Sequence, residues 1–131
     1  MANQASSYLY DDSYIADEAL AKYRVVVYGS ETNHVKYPAA QDANGIAGVT
    51  QQSSSASGDT VLIRKLGRTR VEVATGNVTR GVDLRVHDVV GRADTQTIAW
   101  ASGDGIVGVA EEPSAASGDY ITCWLQIHTA H

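Results

Sequence analysis

Gly45-Ile46-Ala47-Gly48-Val49, a run of small polar residues, and Ser57-Gly58-Asp59-Thr60-Val61-Leu62-Ile63 recur later in the chain as Gly105-Ile106-Val107-Gly108-Val109 and Ser117-Gly118-Asp119-Tyr120-Ile121-Thr122-Cys123. Nine of the nineteen aligned positions are identical without a gap. Each copy reads as an apolar strand, a loop of Ser and Ala, a Gly-Asp turn and a second strand, and self-similarity at so long a period marks a duplicated supersecondary unit. In both turns the glycine supplies a positive φ and the carboxylate bonds loop amides, so Gly58, Asp59, Gly118 and Asp119 read as structural turn residues.

Outward from the repeats the signals remain those of strands. Tyr23-Arg24-Val25-Val26-Val27-Tyr28 is a β-branched run closed by Gly29-Ser30, and Thr69-Arg70-Val71-Glu72-Val73 alternates cleanly. Leu66-Gly67-Arg68 reads as a hairpin turn, and Gly91-Arg92-Ala93-Asp94 as a loop. In the last strand Ile121, Cys123, Leu125 and Ile127 share one face. The class is all-β, a small barrel or sandwich built from a duplicated β unit. The duplicated segments are residues 45–63 and 105–123, within a β-core spanning 23–131.

Residues 1–22 differ in composition, because Asn, Gln, Ser and Asp are interrupted by Tyr8, Leu9, Tyr10, Tyr14 and Ile15, and six of the seven tyrosines precede position 38. Disordered tails are poor in aromatics, whereas docking segments use tyrosine as an anchor. The expectation is an extended N-terminal arm that docks on a partner, with a short helix from Tyr14 to Lys22 capped by Asp12 or Ser13.

At 131 residues and a net charge of −5, the chain is one domain with an acidic balance that argues against nucleic acid as a partner. Arg64, Lys65, Arg68, Arg70, Arg80, Arg85 and Arg92 concentrate positive charge in the middle, while no Lys or Arg follows Arg92. Such a dipole suits subunit contact or docking on a charged shell, with Arg64, Arg68, Arg70 and Trp124 as contact candidates. The start carries no secretory pattern and no run is long enough to span a bilayer, so neither a membrane nor an oxidising compartment is expected. The lone Cys123 packs as a small hydrophobe.

Chemistry finds little support. Asp59 and Asp119 stand on the wrong side of their glycines for an aspartic-protease dyad, the histidines lack ligand spacing, and no phosphate-cradling loop precedes a helix. Gly29-Ser30 matches the kind of bond at which pyruvoyl decarboxylases cleave themselves. Trp100, Trp124 and Tyr120 could form a glycan platform. The expectation is no catalytic residue, no cofactor and no metal.

The ordered series Gly45 to Val49, Ser57 to Ile63, Leu66-Gly67, Val71 to Val73, Gly81 to Leu84, Gly105 to Ala110 and Ser117 to Ile121 resembles the small capsid-cement (head-decoration) proteins of tailed bacteriophages. That resemblance covers residues 23–127. It implies a β-rich, non-enzymatic protein on the outer capsid surface, made in the host cytoplasm. It further implies a homotrimer bridging neighbouring subunits of the major capsid protein. The long aromatic arm has no counterpart in that pattern.

Overall fold

The computed structural model describes residues 9–95 and 104–129. Its strands are β1 (Tyr10–Ala16), β2 (Val25–Tyr28), β3 (His34–Lys36), β4 (Ile46–Thr50), β5 (Thr60–Glu72), β6 (Asp83–Val86), β7 (Ala93–Thr95), β8 (Gly105–Ala110) and β9 (Tyr120–Thr129). They pair in the order β1-β3-β2-β4-β5-β9-β8-β6-β7, and β1 also pairs with β5. That extra pairing closes the first five strands into a barrel, which removes the open edges that would otherwise template association. The fold is all-β, and the alternative of a sandwich gives way to a barrel.

The second half repeats the plan. Strands β9, β8, β6 and β7 continue from the far end of β5, and a parallel bridge from Val73, just past β5, to Ala93 returns the ladder to its start. The match in the first half is the parallel pairing of β1 with β3, Ala16 opposite Val35. Hydrogen bonds repeat as well. Ala16 N–H donates to Asp59 O at 2.8 Å and Gly58 N–H to Ala16 O at 2.8 Å, while Val73 N–H donates to Asp119 O at 2.9 Å and Gly118 N–H to Val73 O at 2.9 Å. Leu20 N–H donates to Ser54 Oγ at 2.9 Å, and Val78 N–H to Ser114 Oγ at 3.0 Å. The duplication therefore runs from β1, and β5 serves both units: its Thr60 end closes the first and its Glu72 end opens the second.

Alternation decides what fills each unit. Tyr14, Ala16, Leu20, Val26, Val35, Ala47, Val61 and Ile63 form one buried cluster. At the matching positions Val71, Val73, Val78, Leu84, Ala93, Val107, Ile121 and Cys123 all lie in the other. This second cluster also contains Val25, Ile46 and Val49, whose side chains leave the first barrel on its outer face, together with Val86 and Leu125. Each fully buried Val, Leu or Ile contributes about 1.5–3 kcal/mol. Backbone contacts join the units too, with Val25 N–H donating to Gly91 O at 2.7 Å and Asp42 N–H to Val86 O at 2.9 Å.

Three sequence expectations are corrected. The helix from Tyr14 to Lys22 is absent, and Tyr10–Ala16 is instead a strand in which Asp12 and Ser13 are exposed while Tyr14 and Ala16 are buried. The aromatic segment is thus part of the first barrel from Tyr10 onward, and the 22/23 boundary falls inside that unit. Leu66-Gly67-Arg68 is not a hairpin, because β5 passes through it, exchanging β1 for β9 as partner, with Gly67 (φ 103°) at the exchange. Ala93-Asp94 is strand rather than loop, held by antiparallel pairing with β6.

Candidate interaction surface

The sequence-predicted residues distribute over three places. Gly58 and Gly118 have φ of 94° and 91°, and beside them Asp59 Oδ2 accepts from the amides of Ser55 (2.9 Å) and Ala56 (3.1 Å), while Asp119 Oδ2 accepts from those of Ala115 (2.7 Å) and Ala116 (3.0 Å). Each carboxylate is committed to its own loop, in different units.

The amide and hydroxyl of Ser55 and the amide of Ala56 hold Asp59 below the ordinary carboxylate value of 3.8. Asp17 is lowered likewise, first by His34, whose Nδ1 lies 2.6 Å away, and then by the Ser30 amide. Groups with a depressed folded pKa stabilise the fold above the unfolded value and lose that contribution as pH falls through the folded one. Melting temperature should therefore hold above pH 4 and drop on acidification below about 3.8, with a shallower drop in Asp59→Asn. A series of thermal melts between pH 6 and about 2 checks this.

The basic middle is largely neutralised within the chain. Arg64 bonds Asp11 through Nε at 2.7 Å and Nη2 at 3.0 Å, Arg24 pairs with Glu72 at 3.0 Å, Arg68 with Glu111 at 2.8 Å, and Arg92 with Asp88 at 2.8 Å. Arg68 is 65% exposed and Arg70 is exposed, with no ion-pair partner among the described residues. Exposed pairs of this kind contribute about 0–1 kcal/mol. The dipole legible in the sequence is thus mostly spent on internal pairing.

Sequence reasoning missed the third place. On β5 the inward face continues past Val61 and Ile63 to Lys65, and at this end of the barrel Lys65 Nζ donates to Tyr14 Oη at 2.6 Å and Tyr28 Oη at 2.8 Å. The ammonium also sits 4.9 Å from the centroid of each ring. Burial works against its charge, but the two phenol oxygens hold its pKa above the ordinary lysine value. No carboxylate pairs with it among the described residues. Tyr28, Leu66 and Tyr10 are half-exposed around this mouth, with Tyr10 opposite Leu66. At the matching positions the second unit has Val71, Val86 and Leu125, all wholly buried. A lysine in a nonpolar alternation was the available signal, and only the register of the repeat gives it meaning.

Of the arm residues, Tyr14 is buried in the barrel, Leu9, Tyr10 and Ile15 are exposed, and Tyr8 lies outside the described residues. Trp124 is half-buried on the outer face of β9, and Tyr120 meets the ring of Tyr23 edge-on at 5.7 Å. Trp100 lies outside the described residues. Ser30 Oγ donates to Asp17 Oδ1 at 3.2 Å, so the Gly29-Ser30 hydroxyl is engaged by the same carboxylate that binds His34. Among the described residues no group of three or more His, Cys, Asp or Glu could hold a metal ion. Burial pushes the Cys123 thiol up to about 12, leaving it unreactive at neutral pH. An open recess of about 330 Å³ is lined by Asp12, Ser13, Tyr14, Ile15, Asn33 and Thr60.

These features define a tandem β-barrel protein whose distinctive chemistry is on its surface. A similar fold occurs in the crystal structure of the head fiber gp8.5 N base in bacteriophage phi29, with a TM-score of 0.65 over 90% of this chain and 94% of that one. The two sequences are 18% identical, so the likeness is one of fold. Neither a family model nor a curated protein sequence matches the chain.

Proposed function

We propose that this chain is a structural protein of a bacteriophage head, a cement that sits on the outer capsid surface and bridges neighbouring subunits of the major capsid protein. The observation that carries the reading is the fold shared along nearly the whole chain with a phage head-fiber base. The resemblance of the repeats to head-decoration proteins points the same way, as does a surface that presents Tyr10 and Leu66 beside the mouth of the first barrel and exposes Leu9 and Ile15. The protein acts by adhesion, as a homotrimer, with no cofactor. Several modest contacts engaged together exceed one by avidity of about 10² to 10⁴. Gly58, Asp59, Gly118 and Asp119 keep the loops in shape, and Arg68, Arg70 and Trp124 contribute at subunit or shell contacts.

Co-sedimentation with expanded shells of a tailed phage tests the proposal. The full chain is expected to pellet with shells, and Tyr10→Ala combined with Ile15→Ser to reduce binding by at least about tenfold, since tyrosine anchors at interfaces commonly carry ~2 kcal/mol. Equal pelleting of protein with and without shells, or binding untouched in that variant, would count against the assignment.

A further inference from the structure

The internal repeat contains a worked example of how one of these barrels closes its end. In the second unit the positions Val71, Val86 and Leu125 are sealed in one core with Val25, Ile46 and Val49, the outer wall of the first. In the first unit the same end, built from Tyr14, Tyr28 and Lys65, has no such wall among the described residues, and Tyr28 is 51% exposed. The second unit meanwhile carries the matching positions Asp83, Ile106 and Val109, of which Ile106 is already buried. Register places Asp83 where the first unit has Val25, since Val25 faces Val49 and Asp83 faces Val109; Trp124 falls where the first unit has Arg64. Asp83 is exposed, and Val109 and Trp124 are half-exposed.

We infer that the open end of the first barrel receives the second-barrel wall of another copy of this chain, so that copies stack head to tail as the two units stack within one. Charge selects this occupant. Lys65 stands where the sealed end has Leu125, and Asp83 where the sealing wall has Val25. Neither has an ion-pair partner among the described residues, so an apolar contact inside the chain is matched by a complementary ion pair between chains. The Tyr28 and Leu66 side chains supply apolar area for Val109 and Trp124. The contact is heterologous, using different surfaces on the two copies, and such contacts close into rings or extend as filaments. It concerns self-association alone and requires no shell.

Sedimentation velocity of the full chain over a concentration series, without shells, tests the inference. The wild type should associate, and Lys65→Glu and Asp83→Lys should each weaken association by about tenfold or more, because like charges then meet across the contact. The double variant, which restores opposite charges, should recover most of the loss. Asp83 is exposed and its variant should melt as the wild type does, so if Lys65→Glu perturbs the barrel, Asp83→Lys and Trp124→Ala decide the matter. A chain that remains monomeric at its highest soluble concentration overturns the inference, as does wild-type association in Asp83→Lys or a double variant no better than the singles. Monomeric protein that still pellets with shells would overturn self-stacking and leave the shell reading standing. Stacking without shell binding would do the reverse.

Discussion

Gly108→Ala is expected to lower the free energy of unfolding by about 3 kcal/mol or more, and Gly48→Ala by a similar amount. The two glycines hold equivalent places at the bulges where β6 meets β8 and β2 meets β4. A Cβ on Gly108 would fall on the carbonyl oxygen of Trp124, and one on Gly48 on that of Arg64 and the side chain of Ile63. These carbonyls belong to strands that form the barrel walls, so the collision cannot be relieved by turning a flexible side chain. Moving the backbone would disturb the pairings of β8 with β9 and of β4 with β5. Gly58→Ala is the control: its φ is positive at 94°, but nothing lies within 4 Å of the added carbon, so conformational strain alone costs about 1–2 kcal/mol. Urea unfolding of the three variants should separate close approach from backbone strain by this gap. Equal small losses in all three would refute the packing assignment of Gly48 and Gly108.

A chain beginning at Tyr23 should fail to form the native fold, the opposite of what composition suggests for an aromatic arm. The deletion removes β1, the strand that closes the first barrel against both β3 and β5. It also removes Tyr14, Ala16 and Leu20 from the core. The apolar loss from Tyr14 and Leu20 alone is about 3–6 kcal/mol. Further losses come from the ladder opposite residues 60–66 and from the bond of Arg64 to Asp11, which leaves a half-buried guanidinium without its carboxylate. Against a total stability of about 5–15 kcal/mol, such a deletion exceeds what a domain of this size commonly survives. Near-ultraviolet circular dichroism and a thermal melt are the checks. A chain beginning at Leu9 should give a native spectrum and a cooperative transition, and the one beginning at Tyr23 should give neither. A native melt in the shorter chain would mean that β1 is dispensable.

How much of this was legible beforehand depends on what duplication leaves behind in sequence. Between β4 and β8, and between the Gly-Asp turns, glycines and an aspartate are demanded by backbone geometry, so identity persists and the repeat is visible. Between β1 and the second half of β5, each side chain answers only to its own barrel. Tyr14 matches Val71 and Ala16 matches Val73, leaving a hydrogen-bond pattern without identity. The first strand was hidden for a second reason. Only Tyr14 and Ala16 are buried, and Asp11, Asp12 and Ser13 make the segment read as polar by composition although its alternation suits a strand. Leu66-Gly67-Arg68 misled because a glycine between strands commonly marks a reversal, whereas here it marks a change of partner along one long strand. Of the candidate site, Lys65 could not be told from other charges of the middle segment until the register set it beside Leu125.

The shared strand has a consequence for how the protein is made. Everything the first barrel needs, from Tyr10 to Leu66, is synthesised before β6 begins, so that barrel can close while the rest is still being translated. The following residues of β5, from Gly67 to Glu72, then wait for β9, which starts only at Tyr120. At translation rates of about 5–20 residues per second that wait lasts on the order of several seconds. Through it the nascent chain carries a bare strand edge projecting from a finished barrel, open to pairing with the same edge on a neighbouring ribosome. Arg68 and Arg70, exposed on this stretch, place like charges along that edge and so oppose premature pairing of two nascent chains until β9 arrives.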